Sequence, residues 1–482
     1  SSASFIEIFD QNTTLLAANL TILADYDDDL DVDWIDGAKY LRNQVQSTPD
    51  PRYMNSFITK VGRNGINHSS EHLETLEKLF HLTDHNKIFG YLLDYNTEIF
   101  EIFGVEGDLD PNFATLTELI NLFHIAEDSF NVFLGFHDNY SDYYPGTPGY
   151  DSSLRVIMED GTPATGWSLP AFPDAFRTDT LDYALAEGVK RVQNTMERYP
   201  IKESHHIDVL NVIFEKDHSI GSPSSRERNR QGVQLIIDEF DSFGVDVTSE
   251  VLTGPYVESG IGWFLDTPRI ISTPLSFDAE FIPLLEFIYH GKTLYGLFED
   301  IYYDVLPPGQ VEIYTFLEPI LLGANSAAHI TWLDSKDIEL DKFYLIDLPW
   351  MALNERFMED YEAEGSYRKI TYDTDTFVEI DYTSNTYTVM LDGRVIGQNY
   401  ATFYPKDDNI FLIYSRDAKS LSQPLPDGWN ENIILQKMNG DGTKENVQFQ
   451  ISNGIITFKV EAETPYKLIH LESFINLPLI LK

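Results

Sequence analysis

Two acids at the ends of neighbouring apolar runs are the residues best placed to do chemistry in this chain. Asp208 ends one strand-like run, and Glu250 ends the next, at residues 245–250. A helical pattern at 226–243 lies between them, as in consecutive units of a parallel β/α array. Carboxylates at the carboxyl ends of neighbouring parallel strands face one cleft, and a facing carboxyl pair is the machinery of glycoside hydrolysis. The spacing therefore predicts a catalytic pair, although either acid could instead cap a helix or pair with a nearby arginine.

The elements that would position this pair alternate regularly along the chain. Strand-like runs occur at 53–59, 88–94, 131–137, 203–210, 245–250, 269–272, 291–295 and 329–332. Helical patterns occur at 34–45, 70–82, 116–128, 180–199, 226–243, 281–288 and 310–322. Eight strands that alternate with helices over this length predict an α/β fold, a (β/α)₈ TIM barrel. We place this barrel at residues 25–365, after a β-strand remnant of an N-terminal β element at 1–24.

The residue pattern of the sequence changes from about residue 366. Thr, Tyr, Val and Ile alternate there with polar residues, and turn pairs such as Asp392-Gly393 and Asn453-Gly454 recur. This pattern predicts a C-terminal antiparallel β-sandwich over 366–482. A helix at 351–364 is expected to join it to the barrel.

Four further residues could bind a sugar. His137 and Asn139 end the third strand-like run, and Asp94 ends the second. Their polar atoms can bond to sugar hydroxyls, although a capped turn would explain His137 and Asn139 equally well. Trp167 lies in a loop, where its ring could stack on a sugar or simply pack.

Metal sites are predicted less directly. His205 and His206 precede Asp208, but no further ligand with zinc spacing is evident in the sequence, so we interpret both as packing or hydrogen-bonding residues. An acidic loop carries carboxylates at the spacing of a calcium loop, and the candidate Ca²⁺ ligands are Asp25, Asp27, Asp29, Asp31 and Asp36. Leu30 replaces the usual turn glycine, and Asp36 replaces the bidentate glutamate. A solvated loop before a helix is the alternative.

Composition restricts the class of protein. The chain has 482 residues, enough for two or three domains. Its 78 acids against 33 bases give a net charge of −45, which disfavours nucleic acids and anionic lipids as partners. The sequence contains no cysteine, which excludes disulfides and thiol catalysis. It also has no apolar run long enough to span a membrane, so we expect no membrane insertion. The composition leaves the oligomeric state open.

Several short segments, in order along the chain, resemble the endo-α-N-acetylgalactosaminidases, glycoside hydrolase family 101. They are residues 31–38 (DVDWIDGA), 136–139 (FHDN), Gly166-Trp167, Ile207-Asp208-Val209, Glu250 and residues 391–396 (LDGRVI). The resemblance implies an extracellular retaining hydrolase that cleaves α-linked N-acetylgalactosamine, as in mucin-type O-glycans. Asp208 would be its nucleophile and Glu250 its general acid/base, with no cofactor required.

The chain departs from the family pattern in two places. The residues that flank Glu250 differ from those of the family, and Asp94 stands where its substrate loop would follow the second strand. An exo-acting relative (family 129) or a hydrolase with another α-glycoside preference therefore remains an alternative. So does a non-catalytic carbohydrate-binding or surface protein that has kept a degenerate barrel.

Overall fold

A computed structural model gives the structure of the chain. It describes residues 24–26, 30–62, 68–85, 87–92, 114–147, 150–168, 174–212, 216–219, 226–268, 282–298, 313–326, 328–330, 340–426, 428–429 and 432–471. The predicted β element at 1–24 therefore lies outside the described residues except for residue 24. Asp94 also lies outside them.

Eight parallel strands form the central sheet. Strands are numbered along the chain, and β4 (Asp142–Tyr143) and β5 (Phe176–Arg177) form a short hairpin outside this sheet. The eight strands of the sheet are β1 Phe57–Val61, β2 Ile88–Leu92, β3 Val132–Asn139, β6 Ser204–Asp208, β7 Asp246–Glu250, β8 Ile261–Pro268, β9 Tyr295–Phe298 and β10 His329–Ile330. Their order in the sheet is β10-β1-β2-β3-β6-β7-β8-β9. Asn325, just before β10, bridges to Gly296 of β9 and so brings the two edges of the sheet together. The predicted TIM barrel is confirmed.

Most of the predicted strands coincide with observed ones, and three differ. The run at 53–59 begins too early, because residues 51–55 form turns. The run at 291–295 only reaches the first residue of β9. The run at 269–272 lies outside the described residues, whereas the strand β8 was not predicted. Glycines at 260 and 262 lower strand propensity where β8 begins, and burial of Trp263, Phe264 and Leu265 outweighs that effect.

The described helices lie largely where periodicity predicts them. They are α1 Trp34–Arg42, α2 Ser69–Thr83, α3 Leu116–Phe130, α4 Thr180–Tyr183, α5 Val189–Arg198, α6 Arg226–Ser242, α7 Leu284–Tyr289, α8 Glu318–Leu321 and α9 Leu348–Leu353. A π-helical turn, Ala184–Gly188, joins α4 to α5. Within the described ranges, no helix has the length and apolar character needed to cross a membrane.

The predicted helix at 351–364 is wrong. Helix α9 ends at Leu353, and residues 360–364 form a strand, β11 Asp360–Glu364, that pairs with the following strand. Its acidic residues and alanine favour a helix, but the cross-strand pairing overrides that local propensity. The antiparallel region therefore starts before the predicted boundary at residue 366.

The C-terminal part is antiparallel, as predicted. After β11, its strands are β12 Tyr367–Asp373, β13 Thr376–Asp381, β14 Thr386–Leu391, β15 Arg394–Gln398, β16 Ala401–Asp407, β17 Ile410–Ser415, β18 Lys419–Pro424, β19 Ile433–Met438, β20 Lys444–Asn446, β21 Phe449–Ser452, β22 Ile455–Val460 and β23 Tyr466–His470. They form a ten-stranded and a three-stranded sheet. Side chains of both sheets, such as Phe411 and Phe458, share one apolar core. Asp392 and Gly393 both have positive φ, as a tight hairpin turn requires.

A buried ion pair holds α5 against the outer face of the barrel. The Arg191 guanidinium pairs with Asp138 of β3, whose side chain is fully buried. The same guanidinium donates a hydrogen bond of 2.7 Å to the carbonyl oxygen of Asn139 and lies over the Tyr140 ring. These contacts fix the end of β3, which carries two of the candidate binding residues.

We expect Arg191→Met to lower the free energy of unfolding by about 3–5 kcal/mol, because it leaves the Asp138 charge buried without its partner. Urea denaturation would measure the change. Lys190→Met, in the same helix, is the matched control: Lys190 is 64% exposed in its pair with Glu187, so its loss should cost less than about 1 kcal/mol. Equal effects of the two substitutions would contradict a stabilising role for the buried pair.

Candidate active site

Asp208 and Glu250 end adjacent strands and meet at one rim of the barrel. Strands β6 and β7 pair in parallel with Ile207 opposite Ser249, so the two acids follow side by side. Both acids are half-buried and hydrogen-bonded to each other. The structure thus brings the two predicted acids into contact at the carboxyl ends of the strands, where barrel enzymes carry their active sites.

The residue after each acid has an unusual backbone conformation. Val209 has φ 45° and Val251 has φ 59°. A β-branched residue in this left-handed region costs on the order of 1–3 kcal/mol. Such strain is typical of functional sites, and here it occurs twice, directly after the two carboxyl groups.

Lys60, from the middle of the barrel, forms an ion pair with Glu250. Its Nζ lies 2.6 Å from Glu250 Oε1, and the two side chains are 2% and 16% exposed. Burial alone would raise the pKa of Glu250. The positive charge of Lys60 and the nearby polar groups of His137, His206 and Asp208 outweigh burial and hold the pKa well below its usual range. Glu250 is therefore ionised in the free protein.

Asp208 lies directly against this ionised carboxylate and is among its hydrogen-bonding neighbours. It also accepts a hydrogen bond from Asn139, whose Nδ2 lies 3.3 Å from Asp208 Oδ2. Two carboxyl groups this close disfavour the ionisation of both at once.

Asn139 connects this pair to a loop through Asp142. The Asn139 amide donates a 3.0 Å hydrogen bond to Asp142 Oδ2. The other carboxylate oxygen of Asp142 accepts a 2.8 Å bond from the backbone N–H of Trp167 and lies 2.6 Å from Arg177 Nη1. A single buried carboxylate therefore positions both the amide next to Asp208 and the loop that carries Trp167.

The Trp167 backbone is held in place while its side chain remains open to solvent. The Tyr144 hydroxyl donates a hydrogen bond of 2.9 Å to its carbonyl oxygen, and the side chain is 67% exposed. A Cβ atom on the preceding Gly166 would lie 2.5 Å from Asp142 Oδ1, so only glycine allows this close approach. An exposed indole on a fixed loop is typical of a stacking platform for a ligand.

The remaining predicted residues are His137 and the acids of the candidate calcium loop. His137 faces Glu250, with its Nε2 3.5 Å from Oε1. Of the calcium-loop acids, Asp27 and Asp29 lie outside the described residues. Asp36 accepts backbone N–H groups on both oxygens, from Tyr26 and Asp33, within the capping box that starts α1. These bonds explain Asp36 as a capping residue, and the Ca²⁺ site stays a prediction.

The two adjacent histidines lie on opposite faces of β6, because successive side chains of a strand alternate. His205 stacks on Phe240 outside the barrel, and His206 Nδ1 lies 2.9 Å from the Thr248 hydroxyl inside it. These contacts fit the interpretation of both histidines as packing or hydrogen-bonding residues, although His206 also has neighbours that were not evident from the sequence. Among the described residues, His137, His206 and Glu250 have ligand atoms within 4.8 Å of one another, a set that could bind a metal. The Lys60 ammonium already neutralises Glu250 there, and a cation would have to displace it.

Sequence reasoning missed Lys60, Asp142 and Arg177. Lys60 had a usable signal, since a lysine inside the apolar run Phe57–Val61 must be paired if the strand is buried. Asp142 and Arg177 had none, because the hairpin of β4 and β5 joins segments that are distant in the chain.

Comparison with known proteins supports the fold. No protein-family model matches the chain, and no curated protein matches it in sequence. The structure is similar to that of the α-N-acetylgalactosaminidase NagBb from Bifidobacterium bifidum in its GalNAc complex, with a TM-score of 0.59 and 12% identity over 75% of this chain and 64% of that chain. Ligand-free NagBb gives a TM-score of 0.59 and 14% identity, over 74% of this chain and 64% of that one.

This chain thus matches less than two thirds of the length of NagBb. At this level of identity, the likeness establishes the fold alone, a TIM barrel with a C-terminal antiparallel domain. The resemblance to family 101 in particular stays a prediction.

We expect Lys60→Met to change how stability depends on pH. In the wild type the lowered pKa of Glu250 contributes stability above its unfolded-state pKa, and this contribution is lost as the pH falls. Without Lys60, burial raises the pKa of Glu250, so the variant loses stability as the pH rises. The difference in unfolding free energy between wild type and variant should widen from about pH 4 to about pH 7, reaching about 3–5 kcal/mol.

Urea denaturation across this pH range measures the difference. The matched control is Lys39→Met, because Lys39 is also buried but pairs with the more exposed Glu359. Its deficit should change little with pH. A Lys60→Met deficit that is constant over the same range would show that Lys60 does not control the ionisation of Glu250.

Proposed function

We propose that this protein is a retaining glycoside hydrolase that cleaves α-linked N-acetylgalactosamine or a related α-glycoside. The observation that carries the proposal is the contact between Asp208 and Glu250 at the carboxyl rim of the barrel. Retaining enzymes hold their two carboxyl groups about 5 Å apart, whereas inverting enzymes need about 6.5–9.5 Å for a water molecule. A pair that touches in the free protein fits the closer arrangement.

Asp208 acts as nucleophile and Glu250 as acid/base in the proposed reaction. The Asp208 carboxylate attacks the anomeric carbon as the bond to the leaving oxygen breaks, and that oxygen takes the proton from Glu250. Glu250 then removes a proton from water, whose oxygen displaces Asp208 from the sugar. The scheme requires Asp208 to be ionised and Glu250 to carry a proton when substrate is bound.

Lys60 would act differently in the two steps. Its positive charge stabilises ionised Glu250 and therefore assists proton donation to the leaving group in the first step. The same charge weakens Glu250 as a base in the second. It also favours a second assignment of roles, in which ionised Glu250 is the nucleophile and Asp208 is the acid.

Recognition of the sugar is assigned to the residues around this pair. Asn139 and His137 offer polar atoms to its hydroxyl groups, and the exposed Trp167 offers a surface for its apolar face. NagBb, a structural neighbour, is an α-N-acetylgalactosaminidase by name, which supports the choice of substrate class. An extracellular location, glycoprotein glycans as targets and a structural Ca²⁺ in the acidic loop belong to the same proposal.

Replacement of Asp208 by Asn should abolish turnover while the fold is retained. We expect kcat to fall on the order of 10⁴-fold, since the amide cannot attack carbon. Aryl α-glycosides, beginning with the Gal-β1,3-GalNAc conjugate, provide the assay. Asp238→Asn, a surface change on α6, is the matched control and should leave kcat unchanged. Appreciable activity of Asp208→Asn would remove Asp208 from the mechanism.

Two further outcomes of this assay are informative. Azide added to the nucleophile variant should give a glycosyl azide of inverted configuration, whereas azide added to the acid/base variant should give the retained anomer. Comparison of Asp208→Ala with Glu250→Ala thus decides between the two assignments. A wild-type protein that binds glycans but hydrolyses none of them would instead support the non-catalytic alternative.

Trp167→Ala should weaken substrate binding more than it affects chemistry. Loss of one stacking face, worth about 0.5–1.5 kcal/mol, should raise KM about 2- to 10-fold with a smaller change in kcat. Trp167→Phe, which keeps an aromatic face, should recover most of the affinity. If Trp167→Ala leaves KM unchanged, the indole does not contact the substrate.

A further inference from the structure

A chain of hydrogen bonds runs through the interior of the barrel, away from the site. At the far end, the Tyr53 hydroxyl lies 2.6 Å from Asp246 Oδ2 and 2.6 Å from the Ser204 hydroxyl. The Ser204 hydroxyl is also 2.6 Å from that of Tyr91. All four residues are buried, and each of these groups has protein partners.

The chain continues to the site through two more residues. The Tyr91 hydroxyl hydrogen bonds to Thr248, whose hydroxyl oxygen lies 2.9 Å from His206 Nδ1. On the other side of the ring, His206 Nε2 lies 3.9 Å from Glu250 Oε1. Asp246 and Glu250 are the first and last residues of β7, so the chain links the two ends of the barrel.

We infer that Asp246 is a positioning residue: the presence or absence of a proton on its carboxyl group sets the direction of this hydrogen-bond chain, and thereby which ring nitrogen of His206 carries hydrogen beside Glu250. The inference extends the proposed function to a residue at the opposite end of the barrel.

The physical reason is that each hydroxyl group has one hydrogen to donate. Ionised Asp246 can only accept, so Tyr53 donates to it, and each hydroxyl then donates towards Asp246. Thr248 consequently accepts from His206, which must carry hydrogen on Nδ1. A protonated Asp246 donates to Tyr53, and every bond reverses. Thr248 then donates to Nδ1, and the hydrogen of His206 is on Nε2, facing Glu250.

The two states differ in their effect on Glu250. An Nε2–H group points its positive end at the Glu250 carboxylate and stabilises it. The other tautomer places a lone pair against the same oxygen. At 3.9 Å this contact is longer than a hydrogen bond and acts through electrostatics.

The environment of Asp246 suits such a role. A cavity of about 540 Å³ opens at this end of the barrel, and its charged lining consists of Asp50, Arg52, Asp238, Asp241, Asp246 and Glu258. The carboxyl group can therefore exchange protons with solvent. Burial raises the pKa of Asp246 to about 7, although Arg52 and the Tyr53 hydroxyl oppose the shift; Asp50 and Asp241 reinforce it.

His206, in contrast, stays neutral. Burial lowers the pKa of His206 to about 3; Glu250 opposes the shift, and His137 and Lys60 reinforce it. A neutral imidazole has one donor and one acceptor nitrogen. A change at Asp246 can therefore alter the tautomer of His206 without altering its charge.

The test is to observe the His206 tautomer directly. Protein with ¹⁵N-labelled histidine is examined without substrate by long-range ¹H–¹⁵N correlation, and the His206 signals are assigned by their loss in His206→Gln. Between about pH 6 and about pH 8, the protonated nitrogen should change from Nε2 to Nδ1. A tautomer that is constant over this range overturns the inference.

Substitutions along the hydrogen-bond chain test whether it carries the response from Asp246 to His206. Tyr53→Phe interrupts the chain and should abolish the pH response. Asp246→Asn, whose amide always donates, should keep hydrogen on Nε2 throughout. Tyr372→Phe removes a hydroxyl from another buried tyrosine, away from the chain, and should leave the response intact. A response that persists in Tyr53→Phe, or in Asp246→Asn if Tyr53→Phe does not fold, overturns the inference. Because no turnover is measured, failure of the glycosidase proposal would be a separate result.

Discussion

The ion pair between Lys60 and Glu250 is the interaction on which the rest of the site depends. It places a buried cation inside the barrel, 2.6 Å from one of the two acids. A buried charge requires a partner of opposite sign, because desolvation of a lone ion costs several kcal/mol. This requirement keeps Glu250 ionised. The charge of this acid therefore follows from one lysine.

Polar groups line the interior of the barrel from one end to the other. Tyr53, Ser204, Tyr91, Thr248 and His206 are buried there, yet each has a hydrogen-bonding partner. Such a network fixes the positions of its side chains, whichever way its hydrogens point, since a single missing partner leaves a costly unsatisfied group. The valines that follow the two acids, Val209 and Val251, are strained in their backbone conformation. The barrel tolerates local cost where the site needs defined geometry, and apolar packing elsewhere provides the stability.

Local pattern was a good guide to the barrel and to its two acids. Periodicity located β2, β3, β6 and β7 and most of the helices, and the parallel order then placed Asp208 beside Glu250. It failed where tertiary contacts override local preference. Residues 360–364 have a helical composition but form β11 by pairing with β12. Strand β8 begins among glycines and is formed by the burial of its aromatic residues.

The sequence by itself determined the class of fold, the strand ends on which the acids stand and a net charge of −45. These properties follow from periodicity and composition, which are local. Only the tertiary structure decided which groups surround the acids. Lys60 lies 190 residues from Glu250, and Asp142 meets Arg177 and Trp167 across a hairpin. Contacts at such separations leave no periodic trace in the chain, yet in a medium of low dielectric they fix where each proton lies.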